Sequence, residues 1–130
     1  MYKGHPLREL SPAEVRDGLR ERTLLLVDVR EPAEFTAERI HGAVLFPLST
    51  FDPNALPRDP TRPVVFQCGS GKRSAVAVAK CQQAGVPAHA HLRGGMIAWK
   101  AAGMPVATID PATGDPATGD PATGAVVDRR

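Results

Sequence analysis

The organisation of this chain is clearest in the stretch VVFQCGSGKRSAVAVA, residues 64–79. Its first part is a short apolar run rich in β-branched and aromatic residues, which predicts a strand. Its last part is rich in alanine, which favours a helix. Between them lies a loop that begins at Cys68 and contains two glycines and two cations. The pattern therefore predicts a strand that delivers a thiol into a tight turn at the start of a helix.

This arrangement has a chemical consequence for Cys68. The backbone N–H groups of such a loop, and the positive end of the helix, point towards one sulfur. Because they stabilise negative charge, we expect the thiol to ionise readily. A thiolate is a strong nucleophile, so Cys68 is a candidate for nucleophilic catalysis. The alternative interpretation is an inert cysteine at the end of a strand, since free cysteines are often buried.

Composition and charge limit the classes of protein that the chain can belong to. Its 130 residues and 42% apolar content fit one globular domain. The net charge of +2 is too small to indicate a nucleic-acid partner. No apolar run is long enough for a membrane span, and no apolar signal region follows the N-terminus, so we expect a cytoplasmic protein. The two cysteines form neither a disulfide framework nor a metal motif, and we expect no metal or other cofactor.

Strands and helices alternate along most of the sequence. The pattern predicts strands near residues 24–29, 43–46, 63–67 and 88–92, and helices near residues 11–20, 31–37, 72–84 and 95–102. This alternation predicts an α/β fold with a largely parallel sheet. Ligands bind at the carboxyl ends of the strands in such sheets, and Cys68 lies at such an end.

The end of the chain has a different character. The pentapeptide DPATG occurs three times in tandem between residues 110 and 124. Its proline and glycine content, without an apolar period, predicts an extended or mobile segment. The residues AVV at 125–127 are suited to docking as a short strand. We therefore divide the chain into a domain, residues 1–109, and a low-complexity tail, residues 110–130.

Three blocks of sequence, in this order, resemble the single-domain rhodaneses, the thiosulfate sulfurtransferase family. The first is LLVDVREPAEF at 25–35, followed by IHGA at 40–43 and PL at 47–48. The second is the loop at 68–74, and the third is LRGGMIAW at 92–99, followed by AGMPV at 102–106. The resemblance covers roughly residues 8–107 and leaves out the tail. It implies a rhodanese-like fold, in which a central, mostly parallel sheet carries helices on both faces.

The resemblance also predicts an activity and its partners. Cys68 would take the outer sulfur of thiosulfate or a similar donor, and cyanide or a thiol would accept it. A protein sulfur acceptor is a further possible partner, whereas no nucleic acid or membrane is expected. The predicted substrate-binding residues are those of the loop: Gly69, Ser70, Gly71, Lys72, Arg73 and Ser74. Among them Lys72 is the cation expected to face the substrate, and Ser70 and Ser74 either donate hydrogen bonds to the bound sulfur or cap the helix.

Arg73 has two possible roles. It could grip an anion, as arginine does in phosphate loops, or it could turn away and pair with an acid. We favour the second role, with Asp28 and Glu34 as candidate partners. Asp28 and Arg30 follow a predicted strand, and we expect them to tie neighbouring loops together rather than react.

Two other functions remain open. Phosphatases with this fold carry five residues between the cysteine and the arginine, whereas this chain has four between Cys68 and Arg73. The shorter loop favours a sulfur-bearing substrate over phosphatase or arsenate reductase activity. A persulfide carrier or regulatory module with little turnover would use the same loop for one protein partner. We expect Cys81 and Trp99 to pack in the core, and we assign no base role to the four histidines His5, His41, His89 and His91.

Overall fold

The computed structural model describes residues 7–109, 116–119 and 126–127, and side chains over residues 7–108. Its helices are α1 (Pro12–Glu21), α2 (Pro32–Ala37), α3 (Lys72–Gln83) and α4 (Gly95–Ala101), and two 3-10 turns lie at Leu48–Thr50 and Pro53–Ala55. Its strands are β1 (Arg8–Leu10), β2 (Leu25–Asp28), β3 (Glu38–Arg39), β4 (Val44–Leu45), β5 (Val64–Gln67), β6 (Ala90–Leu92), β7 (Ala107–Ile109), β8 (Pro116–Gly119) and β9 (Val126–Val127).

The central sheet has five strands in the order β1-β6-β5-β2-β4, and every neighbouring pair is parallel. The predicted α/β class with a mostly parallel sheet is therefore confirmed. The strand that leads to Cys68, β5, lies in the middle between β2 and β6. Its carboxyl end is consequently flanked on both sides by the ends of other strands, which is where such sheets bind ligands.

The two faces of the central sheet bury two apolar clusters. Side chains alternate between the faces along β5, so Phe66 joins the first cluster and Val65 the second. Helix α3 contributes Val78 to the first cluster, whereas α1 and α4 contribute Val15 and Trp99 to the second. Helices therefore cover both faces, as the family resemblance implied.

The helices begin and end where their sequences indicate. At α1 the N–H of Glu14 donates to the Ser11 hydroxyl (3.1 Å), and the Glu14 carboxylate accepts from the Ser11 N–H (2.8 Å), which completes the predicted capping box. Gly85 follows α3 with a φ of +73°, the left-handed conformation that glycine adopts without strain. Trp99 is fully buried and its Nε1–H donates to the carbonyl of Pro105 (2.8 Å), which confirms the predicted packing role.

The described parts of the tail are extended. Strands β3, β7, β8 and β9 form a small antiparallel sheet, in which β8 pairs with β7 and β9 pairs with β8. The segment predicted to dock as a strand thus contains β9, Val126–Val127. The remainder of the three repeats lies outside the described residues. In the part of the chain that the structure describes, no helix has the length and apolar character needed to cross a membrane.

Candidate active site

Cys68 follows β5 directly, and the loop that it opens ends at the first residue of α3. Gly71 precedes α3 with a φ of +103°, a conformation that favours glycine over residues with a Cβ. The strand, tight turn and helix predicted from this stretch are therefore all present. The turn folds back over Cys68, which is fully buried (0% exposed).

The sulfur of Cys68 is surrounded by hydrogen-bond donors. The N–H of Gly71 donates to Sγ at 3.1 Å, and the N–H of Ser74 donates at 3.4 Å. The Ser74 hydroxyl oxygen lies 3.6 Å from Sγ and accepts the thiol proton when one is present. These groups form a cradle that can hold negative charge on sulfur.

The cradle changes the acidity of the thiol. Burial by itself raises the pKa of Cys68, because it disfavours the charged form. Hydrogen bonds from the main chain and hydroxyl of Ser74, and from the amides of Gly71 and Ser70, act in the other direction and outweigh burial. The pKa of Cys68 is therefore lower than that of an ordinary cysteine, as the loop sequence predicted.

Helix α4 orients the first peptide groups of the loop. The N–H of Met96 donates to the carbonyl of Cys68 (2.8 Å), and the N–H of Ile97 donates to the carbonyl of Gly69 (3.0 Å). The N–H and C=O of a trans peptide point in opposite directions. Because the Gly69 carbonyl points towards α4, the N–H of Ser70 points back towards the sulfur.

Gly95 makes this close approach of α4 possible. A Cβ placed on Gly95 would overlap the carbonyl oxygen of Cys68 and the carbonyl group of Gly69, and its φ is +58°. A side chain at this position would therefore push the helix and the loop apart. Gly95 of the LRGGMIAW block thus supports the loop, a role that the sequence alone did not reveal.

Arg73 binds a carboxylate and does not point into the cradle. Its Nη1 lies 2.7 Å from Oε1 of Glu34, and its Nη2 lies 3.0 Å from Oε2, so the pair is bidentate. The hydrogen bonds from Arg73 hold the pKa of Glu34 at about 2, well below its ordinary value. Of the two candidate acids, Glu34 is the partner and Asp28 is not.

Asp28 and Arg30 form a separate buried ion pair at the end of β2. Nη2 of Arg30 lies 2.8 Å from Oδ2 of Asp28, and the same nitrogen donates to the carbonyl of Glu38 (2.6 Å). These contacts fix the turn after β2 against β3. The structure therefore places the three predicted supporting residues in two ion pairs outside the sulfur cradle.

The exposed side of the loop carries Ser70 and Lys72. Lys72 is the first residue of α3, where its ammonium group lies in solvent, whereas the other loop cation, Arg73, is bound by Glu34. The loop residues predicted to bind substrate thus have different surroundings. Gly71 and Ser74 contact the sulfur, Gly69 accepts a hydrogen bond from α4, Arg73 pairs with Glu34, and Ser70 and Lys72 are exposed.

One group of residues near the sulfur was missed at the sequence level. His91 is buried in β6, and its Nδ1 lies 2.7 Å from the hydroxyl oxygen of Ser74. Its Nε2 lies 3.0 Å from Oε2 of Glu9 in β1. The signal that could have located His91 is its place near the carboxyl end of a strand adjacent to β5, since such ends meet at one edge of the sheet.

The second cysteine has a different environment. Cys81 is fully buried in α3 among apolar side chains, and this burial raises its pKa to about 11. This placement confirms the predicted core role. Over the described residues, no group of three or more His, Cys, Asp or Glu side chains is arranged to hold a metal ion.

The fold and the site together define an α/β domain that holds a cysteine in a cradle of main-chain amides at the carboxyl end of its central strand. Comparison with known families agrees with this description: the rhodanese-like domain family matches residues 11–102. The chain belongs to that family.

Relatives of this chain include sulfurtransferases. It is 40% identical to the Sulfurtransferase of Allochromatium vinosum over 85 residues, which cover 64% of this chain and 78% of that protein. It is 41% identical to the probable adenylyltransferase/sulfurtransferase MoeZ of Mycobacterium tuberculosis over 95 residues, which cover 69% of this chain and 24% of MoeZ. It is also 40% identical to an uncharacterized protein of Synechocystis over 96 residues, covering 74% of this chain and 54% of that protein. The chain thus spans about half or less of the length of the latter two relatives.

The solved structure of a thiosulfate sulfurtransferase from Pseudomonas aeruginosa resembles this domain with a TM-score of 0.66 and 28% sequence identity. The similarity covers 77% of this chain and 20% of that chain. It supports the assignment of the rhodanese fold.

Proposed function

We propose that this chain is a thiosulfate sulfurtransferase, which moves a sulfane sulfur to a thiophilic acceptor through a persulfide on Cys68. The observation that carries this proposal is the cradle, in which the amides of Gly71 and Ser74 donate to Sγ and the pKa of the thiol is lowered. Loop amides would also stabilise the anionic persulfide, because its charge lies on the outer sulfur, which is bonded directly to Sγ.

The reaction has two balanced steps. The Cys68 thiolate attacks the outer sulfur of thiosulfate, a new S–S bond forms, and sulfite leaves with the electron pair of the broken bond. The acceptor, cyanide or a thiolate, then attacks the outer sulfur of the persulfide and releases the Cys68 thiolate. Lys72 contributes a positive charge on the exposed side of the loop, where it attracts the thiosulfate dianion.

Space for a small acceptor is present beside the loop. A cavity of about 380 Å³ borders Gly69 and is lined by Met96 and Ile97 of α4 together with charged side chains from both sides. This volume falls in the range of small-molecule sites.

We also propose that the protein works in a reducing compartment such as the cytoplasm, which suits its two free thiols.

A second candidate is a persulfide carrier that serves one protein acceptor with little turnover. It is favoured by the match to one part of MoeZ, a much longer probable adenylyltransferase/sulfurtransferase. Steady-state kinetics with thiosulfate and cyanide separate the two, since a carrier forms the persulfide but turns over slowly.

Phosphatase or arsenate reductase activity has less support. Those reactions need a cation that grips a tetrahedral oxyanion above the cysteine, and arginine is the residue suited to that task. In this chain both Nη atoms of Arg73 are bound by Glu34, so the charge of the guanidinium is already paired with a carboxylate.

The experiment that tests the proposal is mass spectrometry of the full chain after incubation with thiosulfate. We expect a gain of one sulfur atom on the peptide that contains Cys68, which cyanide or a reducing thiol removes. The peptide that contains Cys81 is an internal control and should stay unmodified. A Cys68 peptide of unchanged mass, in a protein whose thiol still reacts with an alkylating agent, would contradict the proposal.

A further inference from the structure

A continuous line of hydrogen-bonding groups leads from the sulfur to the surface of the protein. It passes from Sγ of Cys68 to the Ser74 hydroxyl (3.6 Å), to Nδ1 of His91 (2.7 Å), and from Nε2 of His91 to the Glu9 carboxylate (3.0 Å). The side chain of His91 is 4% exposed, whereas that of Glu9 is 46% exposed. Only the outer end of this line therefore meets the solvent.

The position of the histidine in this line follows from strand pairing. Glu9 and His91 are directly paired across β1 and β6, so their side chains lie side by side. Ser74 reaches the other edge of the imidazole from the first turn of α3. Three separate elements thus converge on one buried ring, which the described mechanism of sulfur transfer leaves without a task.

The partners determine where the protons of His91 lie. An ionised carboxylate can only accept, so Nε2 carries the proton that is donated to Glu9. In the neutral ring Nδ1 then has no proton and accepts from the Ser74 hydroxyl. That hydroxyl has one proton, and its other acceptor, the carbonyl of Gly71, lies farther away at 3.2 Å.

We propose that His91 accepts the proton of Cys68 through Ser74, so that the thiolate is formed together with an imidazolium. The thiol proton moves to Oγ of Ser74 while the hydroxyl proton of Ser74 moves to Nδ1 of His91. The hydroxyl is thereby regenerated and now donates to the thiolate, and Nδ1–H donates to Oγ. Charge balances, because one thiolate and one imidazolium replace two neutral groups.

Glu9 is the positioning residue at the far end of this relay. Its negative charge stabilises the imidazolium and orients the ring so that Nδ1 faces Ser74. In the part of the chain that the structure describes, His91 has hydrogen-bond contacts with Glu9 from β1 and with Ser74 from α3, which connects it to Cys68. The loop places Gly71 beside the ring, where a Cβ would be 3.7 Å from it, and β5 contributes the apolar Phe66 opposite in register.

This inference rests on the proposed role of Cys68 as the nucleophile, but it is tested without sulfur transfer. Iodoacetamide reacts with the thiolate, so its rate with Cys68 as a function of pH reports ionisation directly. We expect His91→Asn to slow alkylation at pH 6.5 about tenfold, because the pKa of Cys68 rises when its proton acceptor is lost. Asparagine can still hydrogen-bond to Ser74 but cannot take up a proton, so it separates proton acceptance from packing.

Two further variants protect the test against misfolding. Glu9→Gln changes a half-exposed side chain that can still accept from Nε2, and we expect it to slow alkylation about threefold. His41→Gln alters an exposed histidine in a turn and is the matched control, with an unchanged profile expected. Equal alkylation rates in the wild type, His91→Asn and Glu9→Gln would overturn the proposal.

A reciprocal measurement distinguishes proton coupling from a structural role. Linkage requires that the effect of His91 on Cys68 equals the effect of Cys68 on His91. We therefore expect Cys68→Ala to change the NMR signals of the His91 ring nitrogens, because the proton that the relay delivers to Nδ1 is no longer supplied. If those signals stay unchanged, His91 acts on Cys68 only through packing. A failed persulfide assay with this reciprocity intact would contradict the proposed function but not the relay.

Discussion

The two cysteines of this chain make an instructive pair. Cys68 and Cys81 are both fully buried and both belong to the same apolar cluster. Burial acts to raise the pKa of each, yet the pKa of Cys68 is lowered whereas that of Cys81 is raised to about 11. The difference lies in the hydrogen bonds from the main chain and hydroxyl of Ser74 and from the amides of Gly71 and Ser70, which stabilise the thiolate of Cys68. Burial alone therefore does not determine the acidity of a thiol, because the hydrogen-bond donors around the sulfur also set its pKa.

The largest expected effect separates the two thiols by function. We expect Cys68→Ser to reduce sulfur transfer from thiosulfate to cyanide by at least about a thousandfold, because an alcohol neither ionises near neutral pH nor forms a persulfide. Cys81→Ser should retain transfer, apart from the effect of placing a hydroxyl in an apolar cluster. Steady-state rates of the two variants, with circular dichroism to confirm folding, measure this contrast. Substantial turnover by Cys68→Ser would remove the basis of the proposed mechanism.

The next effect tests whether the orientation of the loop peptides causes the difference between the pKa values of Cys68 and Cys81. We expect Gly95→Ala to displace α4 from the carbonyls of Cys68 and Gly69, to destabilise the protein by about 3 kcal/mol and to raise the pKa of Cys68. Gly85→Ala is the matched control, because Gly85 is also left-handed but a Cβ there meets nothing within 4 Å. It should cost only about 1 kcal/mol and leave the thiol unchanged. Urea unfolding and the pH profile of alkylation report the two quantities.

If both glycine variants lose stability while the Cys68 thiolate persists at the same pH, the support given by α4 is not the cause of its acidity. The donors of the first turn of α3 would then carry the whole effect, and the comparison between the two cysteines would be confined to Gly71 and Ser74.

A smaller effect concerns the pH dependence of stability. The pKa of Cys68 is lower in the folded protein than in the unfolded chain, where it is about 8.5. Ionisation of Cys68 therefore adds to the free energy of unfolding, fully at pH values above about 8.5. This contribution is lost as the pH falls through the pKa of the folded protein. Cys81 behaves oppositely: its contribution is complete below the unfolded value and is lost as the pH rises through about 11. For either thiol, a tenfold difference in acidity between the folded and unfolded chains corresponds to about 1.4 kcal/mol of stability.

Unfolding free energies of the wild type, Cys68→Ala and Cys81→Ala between pH 6 and 10 test these signs. The difference between the wild type and Cys68→Ala should grow as the pH rises towards about 8.5. The difference between the wild type and Cys81→Ala should shrink above that pH. Slopes of the same sign for both variants would show that the two thiols do not differ as described.

The smallest effects separate the role of Lys72 in attracting thiosulfate from the role of Arg73 in stabilising the fold. We expect Lys72→Ala to raise the KM for thiosulfate about fivefold at unchanged stability, because the side chain is exposed and attracts the dianion. Arg73→Met should instead lower stability by about 1 kcal/mol, because it removes the bidentate partner of the partly exposed Glu34. Kinetics and thermal unfolding of both variants provide the measurements. A loss of stability in Lys72→Ala equal to its loss of activity would assign that residue a structural role.

Local sequence patterns predicted the elements that depend on neighbouring residues. The strand, loop and helix around Cys68 and the capping box of α1 are of this kind, and their predicted bounds agree with the structure to within a few residues. Strand β1, Arg8–Leu10, was missed because three residues with two exposed side chains show no apolar period. Its pairing with β6 is what stabilises it as a strand.

Two contacts that the sequence left undecided or missed join distant parts of the chain. Arg73 and Glu34 are 39 residues apart, and two acids were equally compatible with the loop until the fold placed one of them beside it. His91 and Glu9 meet only because β1 and β6 pair in a particular register. Such contacts depend on strand order and side-chain direction, which the periodicity of a single segment does not contain.

Because α4, a distant part of the chain, orients the carbonyls of Cys68 and Gly69, the lowered pKa of Cys68 depends on the completed tertiary structure. A newly synthesised or unfolded chain has the same residues around Cys68 but no helix to turn its peptide groups, so its thiol is expected to be ordinary. Sulfur chemistry would then begin only once the domain has closed around the cysteine. A misfolded chain would lack this reactivity, which would limit the transfer of sulfur to molecules other than the acceptor.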